Sequence, residues 1–131
     1  MISTPPQQPV ARTTRRVLYV DDMRELRDVA KLALTRCGHS VDCAPDGSDA
    51  FEMVSNDPKG YDIVISDHHM ANMNGLELVM KLRELKFGGM IAIVSSELNE
   101  DVEEDYRRLG VDRILYKPVS LSELRALVLE S

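Results

Sequence analysis

The sequence predicts an α/β fold in which a five-stranded parallel sheet carries helices on both faces. Five short apolar runs of strand length alternate with five segments whose apolar residues recur at helical spacing. The runs are apolar throughout, as in Ile63, Val64 and Ile65, which is typical of strands buried on both faces. Right-handed crossovers between successive parallel strands place helices above and below the sheet. A chain of 131 residues has room for one such domain.

The ten elements follow one another through short connections. The first strand begins at Arg16 and stops before Asp21. A helix follows from Arg24, because apolar residues recur at every third or fourth position up to Cys37, and Gly38 ends it. The same two periodicities predict strands at 40–44, 62–66, 90–94 and 113–116, and helices at about 48–55, 76–85, 99–109 and 121–129.

Composition limits the possible organisation and location. Residues 1–14 are rich in Pro, Gln and Thr without an apolar period, so we expect a flexible tail followed by one domain over 15–131. The formal net charge of −6 disfavours direct binding to nucleic acid. Since no apolar run could span a membrane or act as a secretory signal, we expect a cytoplasmic protein. Cys37 and Cys43 lack the spacing of a zinc or redox motif and are expected to be buried, reduced thiols.

Polar side chains stand where four of the five predicted strands end, at the edge of a parallel sheet where ligands bind. They are Asp21 and Asp22 after the first strand, Asp67 after the third, Ser95 and Ser96 at the fourth, and Lys117 after the fifth. A single aspartate in such a place is usually a turn residue or a helix cap. Three carboxylates at one edge, however, repel one another unless a cation neutralises them, and Mg²⁺ prefers oxygen ligands.

The same residues have the chemistry that phosphoryl transfer needs. A carboxylate can attack phosphorus to form an acyl phosphate. A metal ion and a lysine ammonium would neutralise charge on the transferring group, while a hydroxyl would hold one of its oxygens. Asp67, Lys117 and Ser95 supply the protein groups.

Four motifs resemble those of a known family. They are Val-Asp-Asp at 20–22, Ser-Asp-His-His-Met-Ala-Asn-Met-Asn-Gly at 66–75, Val-Ser-Ser-Glu at 94–97 and Lys-Pro at 117–118. Over about residues 16–130 the chain resembles the receiver domain of bacterial two-component response regulators, the CheY-like superfamily. The resemblance implies a flavodoxin-like (βα)5 doubly wound sandwich with strand order 2-1-3-4-5.

The resemblance also implies a role for each site residue. Asp67 would accept the phosphoryl group, Lys117 would pair with it, and Ser95 would turn its hydroxyl toward it. The bond between Lys117 and Pro118 would be cis. Oxygen ligands would hold Mg²⁺, for which Mn²⁺ can substitute, and they would come from Asp21, Asp22, Asp67 and the backbone carbonyl of His69.

The function implied by the resemblance is that of a signalling switch. A sensor histidine kinase or a histidine phosphotransfer protein would donate the phosphoryl group, and the domain would catalyse only its own phosphorylation and dephosphorylation. A downstream protein would meet the face made by the fourth helix, fifth strand and fifth helix, with no direct contact to nucleic acid or membrane. We expect a monomer or a weak, phosphorylation-dependent dimer, either a stand-alone regulator or the N-terminal domain of a longer protein.

The chain departs from the family pattern at two positions. Ala71 stands where the loop after the acceptor normally has Pro. Ile114 stands three residues before Lys117, where the family often carries an aromatic side chain that moves with the switch hydroxyl. Tyr116 could replace that aromatic only through a different geometry, and it is otherwise expected to be a partly exposed residue without a signalling role.

Other interpretations concern the paired histidines and the function as a whole. His68 and His69 are not expected to bind a transition metal, because neighbouring loop residues rarely ligate one ion. The His69 side chain is expected to border the acceptor and to influence the access of water to the acyl phosphate. A receiver-like interaction module that is never phosphorylated stays open as an alternative. A phosphohydrolase of the haloacid dehalogenase type fits less well, because it carries an Asp-x-Asp motif on its first strand and a lid.

Overall fold

The strands form a single parallel sheet in the order β2-β1-β3-β4-β5, which confirms the predicted fold class and strand order. The computed structural model describes residues 13–131. Its elements are β1 (Arg16–Val20), α1 (Arg24–Arg36), β2 (Ser40–Ala44), α2 (Gly47–Asn56), β3 (Ile63–Ser66), α3 (Gly75–Glu84), β4 (Met90–Ser95), α4 (Glu100–Arg108), β5 (Arg113–Tyr116) and α5 (Leu121–Glu130).

Side-chain caps mark the start of four helices, α2, α3, α4 and α5, and two of these caps correct the predicted bounds. The Asn74 side chain accepts a hydrogen bond from the Glu77 N–H at 2.9 Å, and Glu77 accepts one from the Asn74 N–H at 3.4 Å. This capping box starts α3 at Gly75, one residue before the predicted start. Asn99, which the periodicity places inside the fourth helix, accepts from the Val102 N–H at 2.9 Å and is therefore the N-cap of α4.

Two apolar layers, one on each face of the sheet, hold the strands in register. Alternation along β1 shows the division, since Leu18 and Val20 pack with residues of α2, α3 and α4. Val17 and Tyr19 pack with residues of α1 and α5. The sheet is thus buried on both sides, and the strand ends that carry the polar residues are held at one edge.

Two expectations from composition have different outcomes. The flexible tail over 1–14 falls almost wholly on residues outside the described range. Both cysteines are free thiols, but the expected burial is wrong for Cys37, which is exposed, while Cys43 is half-buried. Cys37 is the C-cap of α1, where the chain leaves the helix through Gly38 at a φ of 92°. Nowhere in residues 13–131 is there a helix with the length and apolar character required to cross a membrane.

His39 is a buried histidine in the connection between α1 and β2. It is 4% exposed, and its Nδ1 accepts a hydrogen bond from the Arg15 N–H at 3.0 Å. An acceptor nitrogen requires the neutral ring. Burial lowers the pKa of His39, and the positive charge of Arg15 lowers it further. The folded protein therefore favours the neutral form.

We expect His39 to make the fold less stable in mild acid. Its pKa is lower in the folded chain than the ordinary value of 6.5, so its contribution to the free energy of unfolding is complete above that value. The contribution is lost as the pH falls through the folded pKa, because the unfolded chain then binds more protons. His39→Asn keeps an acceptor near the Nδ1 position and cannot be protonated. Urea unfolding at about pH 7.5 and about pH 5 should show a larger loss of stability in wild type than in His39→Asn; equal losses would contradict the assignment.

Candidate functional site

The sheet brings the predicted site residues to one edge. β1 and β3 are adjacent and end in register, so the residues that follow them, Asp21 and Asp67, are neighbours. Asp22 comes next along the chain and is exposed. β4 and β5 end beside them, where the Lys117 N–H donates to the carbonyl oxygen of Ser95 at 2.8 Å. Residues separated by up to 96 positions in sequence therefore meet at this edge.

The ammonium group of Lys117 joins two of the carboxylates. Its Nζ is 3.0 Å from Asp21 Oδ2 and 3.4 Å from Asp67 Oδ2. Asp21 is only 1% exposed, and its Oδ1 accepts from the Met23 N–H at 2.9 Å. The Lys117–Pro118 bond that follows β5 is cis, as the resemblance implied.

On both the acid and the base of this cluster, burial and the nearby opposite charge shift the pKa in opposite directions. Burial raises the pKa of Asp67, Lys117 opposes the rise, and the negative charge of Asp21 adds to it. Burial by itself would lower the pKa of Lys117, but its hydrogen bond to Asp21 and the charges of Asp21 and Asp67 outweigh that effect and raise the pKa. Lys117 therefore stays an ammonium ion, while Asp67 is a carboxylate held less acidic than usual.

The carboxylates suit a hard divalent cation. Asp21, Asp22 and Asp67 each offer one oxygen, and these oxygens lie within 4.8 Å of one another. Three carboxylates and one ammonium leave an excess of negative charge. A set of oxygen donors with one exposed member fits Mg²⁺ that keeps part of its water shell. His69 has an exposed side chain, and the predicted ligand role of its backbone carbonyl stays a prediction.

Comparison with known proteins assigns the family. Residues 17–129 match the family model of the response regulator receiver domain. The chain belongs to this family. Response regulator MprA of Mycobacterium leprae is 36% identical over 113 residues, covering 85% of this chain and 48% of that protein. MprA of Mycobacterium avium is 34% identical over 113 residues, with 85% and 48% covered. The chain thus spans about half the length of the curated relatives that it matches.

Solved receiver structures share the fold. A response regulator receiver protein from Pseudomonas putida superposes with a TM-score of 0.81 at 28% identity, covering 90% of this chain and 98% of that one. A CheY-like receiver domain from Methanospirillum hungatei has a TM-score of 0.84 at 24% identity, covering 89% and 92% of the two chains. The second likeness concerns the fold alone.

The structure of this receiver domain clarifies both departures from the family pattern. Ile114 is half-buried against the core, while Tyr116 is 44% exposed and matches the expectation of a partly exposed residue. Ala71 is exposed in the loop after the acceptor. Met70 and Met73 pack against the core on either side of it, so the loop is anchored without the usual Pro.

Ser95 lies at the site edge but turns its hydroxyl toward its own loop. It is fully buried, and Oγ donates to the carbonyl oxygen of Glu97 at 3.4 Å. A hydrogen bond of this length is weak, so the hydroxyl can be redirected at small cost. Its action as the receiver's switch hydroxyl stays a prediction.

Tyr106 on α4 is a residue near the site that sequence reasoning missed. Its side chain is fully buried, and its hydroxyl lies 2.6 Å from Nδ1 of His68, the residue after Asp67. The rings meet edge to face, with centroids 5.5 Å apart. The spacing of Val102, Tyr106 and Leu109 signals that Tyr106 faces inward. No local pattern indicates which residue it meets.

Gly75 stands at a position where a side chain would collide with neighbouring atoms. A Cβ atom on Gly75 would lie 2.5 Å from the Asp67 carbonyl oxygen, 2.6 Å from the Tyr106 hydroxyl and 3.0 Å from His68 Cα. The Gly75 N–H also donates to the His68 carbonyl at 2.9 Å. The close approach of the acceptor segment and of Tyr106 is what requires glycine at this position.

Gly75→Ala should destabilise the domain, although alanine is normally the better helix residue. Overpacking against the Asp67 backbone should lower the free energy of unfolding by about 1–3 kcal/mol. Gly88→Ala is the matched control, because nothing lies within 4 Å of a Cβ atom there. That variant should change stability by less than about 1 kcal/mol. Urea unfolding of the two variants compares them, and equal stabilities would show that the crowding at Gly75 carries no cost.

Proposed function

We propose that Asp67 accepts a phosphoryl group in a Mg²⁺-dependent reaction and that the modification changes the conformation of the domain. As a response regulator receiver, the chain is a component of a two-component system. The observation that most supports Asp67 is that it contacts the Lys117 ammonium and forms one cluster with the carboxylates of Asp21 and Asp22. The proposed donor is the phosphohistidine of a sensor histidine kinase or a histidine phosphotransfer protein.

The transfer replaces a phosphorus–nitrogen bond with a phosphorus–oxygen bond. A carboxylate oxygen of Asp67 attacks the phosphorus, and the electron pair of the breaking bond stays on the donor imidazole nitrogen, which takes up a proton from solvent. The product is an acyl phosphate on Asp67 and a neutral histidine on the donor. The reaction needs Asp67 as its carboxylate, a state that Lys117 favours.

Lys117 and Ser95 are positioned to respond to the product. The Lys117 ammonium faces Asp67 Oδ2 at 3.4 Å. After transfer it can contact the negatively charged oxygens of the phosphoryl group instead of the carboxylate. Ser95 gives up only a weak contact when its hydroxyl turns toward these oxygens. These two movements at the ends of β4 and β5 are the proposed beginning of the conformational change.

Asp21, Asp22 and Asp67 are the residues that would hold the divalent ion. When bound, Mg²⁺ supplies positive charge against the oxygens of the transferring group. Asp21 is oriented for this task by the Met23 N–H on one carboxylate oxygen and by Lys117 on the other. The exposed Asp22 offers a ligand that can adjust as the ion enters.

An apolar groove beside the site supports the proposed donor. It has a volume of about 390 Å³, and Lys117 lines it together with Leu26 and Val29 of α1 and Leu121 of α5. Val29 is 53% exposed and Leu121 is 44% exposed. A helix that carries a phosphohistidine could place its apolar side chains here with the phosphoryl group toward Asp67.

Further parts of the proposal come from the family resemblance. We propose the face of α4, β5 and α5 for the downstream protein, a cytoplasmic location, and either a monomer or a weak, phosphorylation-dependent dimer. An interaction module that is never phosphorylated is the alternative, and the next experiment separates the two.

Incubation with acetyl phosphate and Mg²⁺ should add one phosphoryl group to the protein. Intact-mass measurement should show this gain in wild type and in Asp28→Asn, which removes an exposed carboxylate of α1 that is not a member of the acidic cluster. Asp67→Asn should show no gain, because the amide is not a nucleophile. No gain in wild type would favour the unphosphorylated module, and an equal gain in Asp67→Asn would place the acceptor elsewhere.

Removal of the divalent ion should stop the reaction, and Mn²⁺ should restore it. Asp22→Asn should raise the Mg²⁺ concentration for half-maximal phosphorylation by at least about tenfold. Mutation of residues that only orient metal ligands already lowers metal affinity by about this factor. Because Asp22 is exposed, thermal stability should hardly change. Asp28→Asn carries the same change of charge and should leave the Mg²⁺ requirement as in wild type. An unaltered requirement in Asp22→Asn would remove Asp22 from the metal site.

A further inference from the structure

A hydrogen-bonded pair connects α4 to the acceptor from a direction that the proposed reaction does not use. Tyr106 is the fully buried residue of α4, and its hydroxyl lies 2.6 Å from His68 Nδ1. Burial lowers the pKa of His68 and raises the pKa of Tyr106. A neutral imidazole and a protonated phenol form one hydrogen bond, whichever of the two supplies the proton.

His68 in turn holds the acceptor through its backbone. Its N–H donates to Asp67 Oδ1 at 2.8 Å, and its carbonyl accepts from the Gly75 N–H at 2.9 Å. Lys117 approaches the other carboxylate oxygen, Oδ2. The orientation of the Asp67 carboxylate therefore depends on a lysine on one side and on the position of His68 on the other.

The pair is difficult to separate. Both side chains are buried, and a phenol hydroxyl without a partner in such a place is costly. Among the described residues, the hydrogen bond recorded for the Tyr106 hydroxyl is the one to His68. A displacement of His68 therefore either moves Tyr106 with it or breaks a buried hydrogen bond.

Lys117 directly follows β5 and contacts the acceptor, but the strand itself presents no buried aromatic side chain to it. Ile114 is half-buried and has no polar side-chain atom, and Tyr116 is 44% exposed. The phenol that reaches the acceptor segment comes from α4 instead. The connection runs over two hydrogen bonds, from Tyr106 through His68 to Asp67.

We propose that His68 and Tyr106 are positioning residues for Asp67, and that the hydrogen bond between them carries a change at the Asp67 carboxylate to α4. The second part rests on the proposed function. Phosphorylation converts the Asp67 carboxylate to an ester-like group, which weakens Oδ1 as an acceptor for the His68 N–H. His68 then shifts, and α4 shifts with it through Tyr106.

Tyr106→Phe tests the positioning role before any phosphorylation. It removes the hydroxyl and keeps the ring, while Tyr116→Phe makes the same change at an exposed site. Hydrogen exchange of the His68 amide should be about 3- to 10-fold faster in Tyr106→Phe, the range expected for one lost hydrogen bond, and unchanged in Tyr116→Phe. An unchanged rate in Tyr106→Phe would overturn the positioning role.

The link to α4 is tested after phosphorylation with acetyl phosphate and Mg²⁺. Amide exchange in α4 should change on phosphorylation in wild type and in Tyr116→Phe, and this response should be lost in Tyr106→Phe at an equal phosphorylated fraction. A full response in Tyr106→Phe would overturn the link. A wild type that gains no phosphoryl group would defeat the proposed function, while the His68 amide measurement would still decide the positioning role.

A second pair of variants protects the test against misfolding of Tyr106→Phe. His68→Asn keeps a polar atom near the position of Nδ1, whereas His68→Leu keeps bulk without a hydrogen-bonding atom. The α4 response should survive in His68→Asn and disappear in His68→Leu. Equal responses in the two variants would contradict the link. They would show that the hydrogen-bonding atom of the side chain at position 68 has no effect on the α4 response.

Discussion

Two carboxylates buried at one sheet edge share one lysine ammonium, and the rest of the site depends on this arrangement. Asp21 and Asp67 repel each other, and burial makes each charge more costly. Lys117 offsets part of that cost and leaves a net negative charge. This excess of negative charge makes the cluster unfavourable by itself and suitable for a divalent cation. The positive charge of a bound cation would in turn favour a phosphoryl group at the site.

The position of the acceptor is determined on two sides by different parts of the fold. Lys117, after β5, faces one oxygen of Asp67, and the His68 N–H donates to the other. Behind this segment, Gly75 leaves room for the Tyr106 phenol because it has no side chain. Lys117 thus contacts this carboxylate directly and Tyr106 reaches it through His68, and the proposed switching would act through both connections.

Much of the architecture was predictable because it depends on local pattern. Continuous apolar runs such as the one at 63–65 predict buried strands, and polar residues at four strand ends predict one shared site. Where local pattern is ambiguous, prediction was weaker. Asn99 fits the helical period as well as it fits a cap, and Cys37 lies on the period of α1 but occupies its exposed end. In both cases the geometry of the helix end decided the outcome.

By itself, the sequence determined the alternation of strands and helices, the family motifs, and the identity of the residues at the sheet edge, because each of these depends on residue type and spacing. Only the tertiary structure decided which groups touch. The contact between Tyr106 and His68 joins residues 38 positions apart, and the crowding around Gly75 comes from two separate segments of chain. Such contacts depend on how helices pack across the sheet, and no local spacing records that packing.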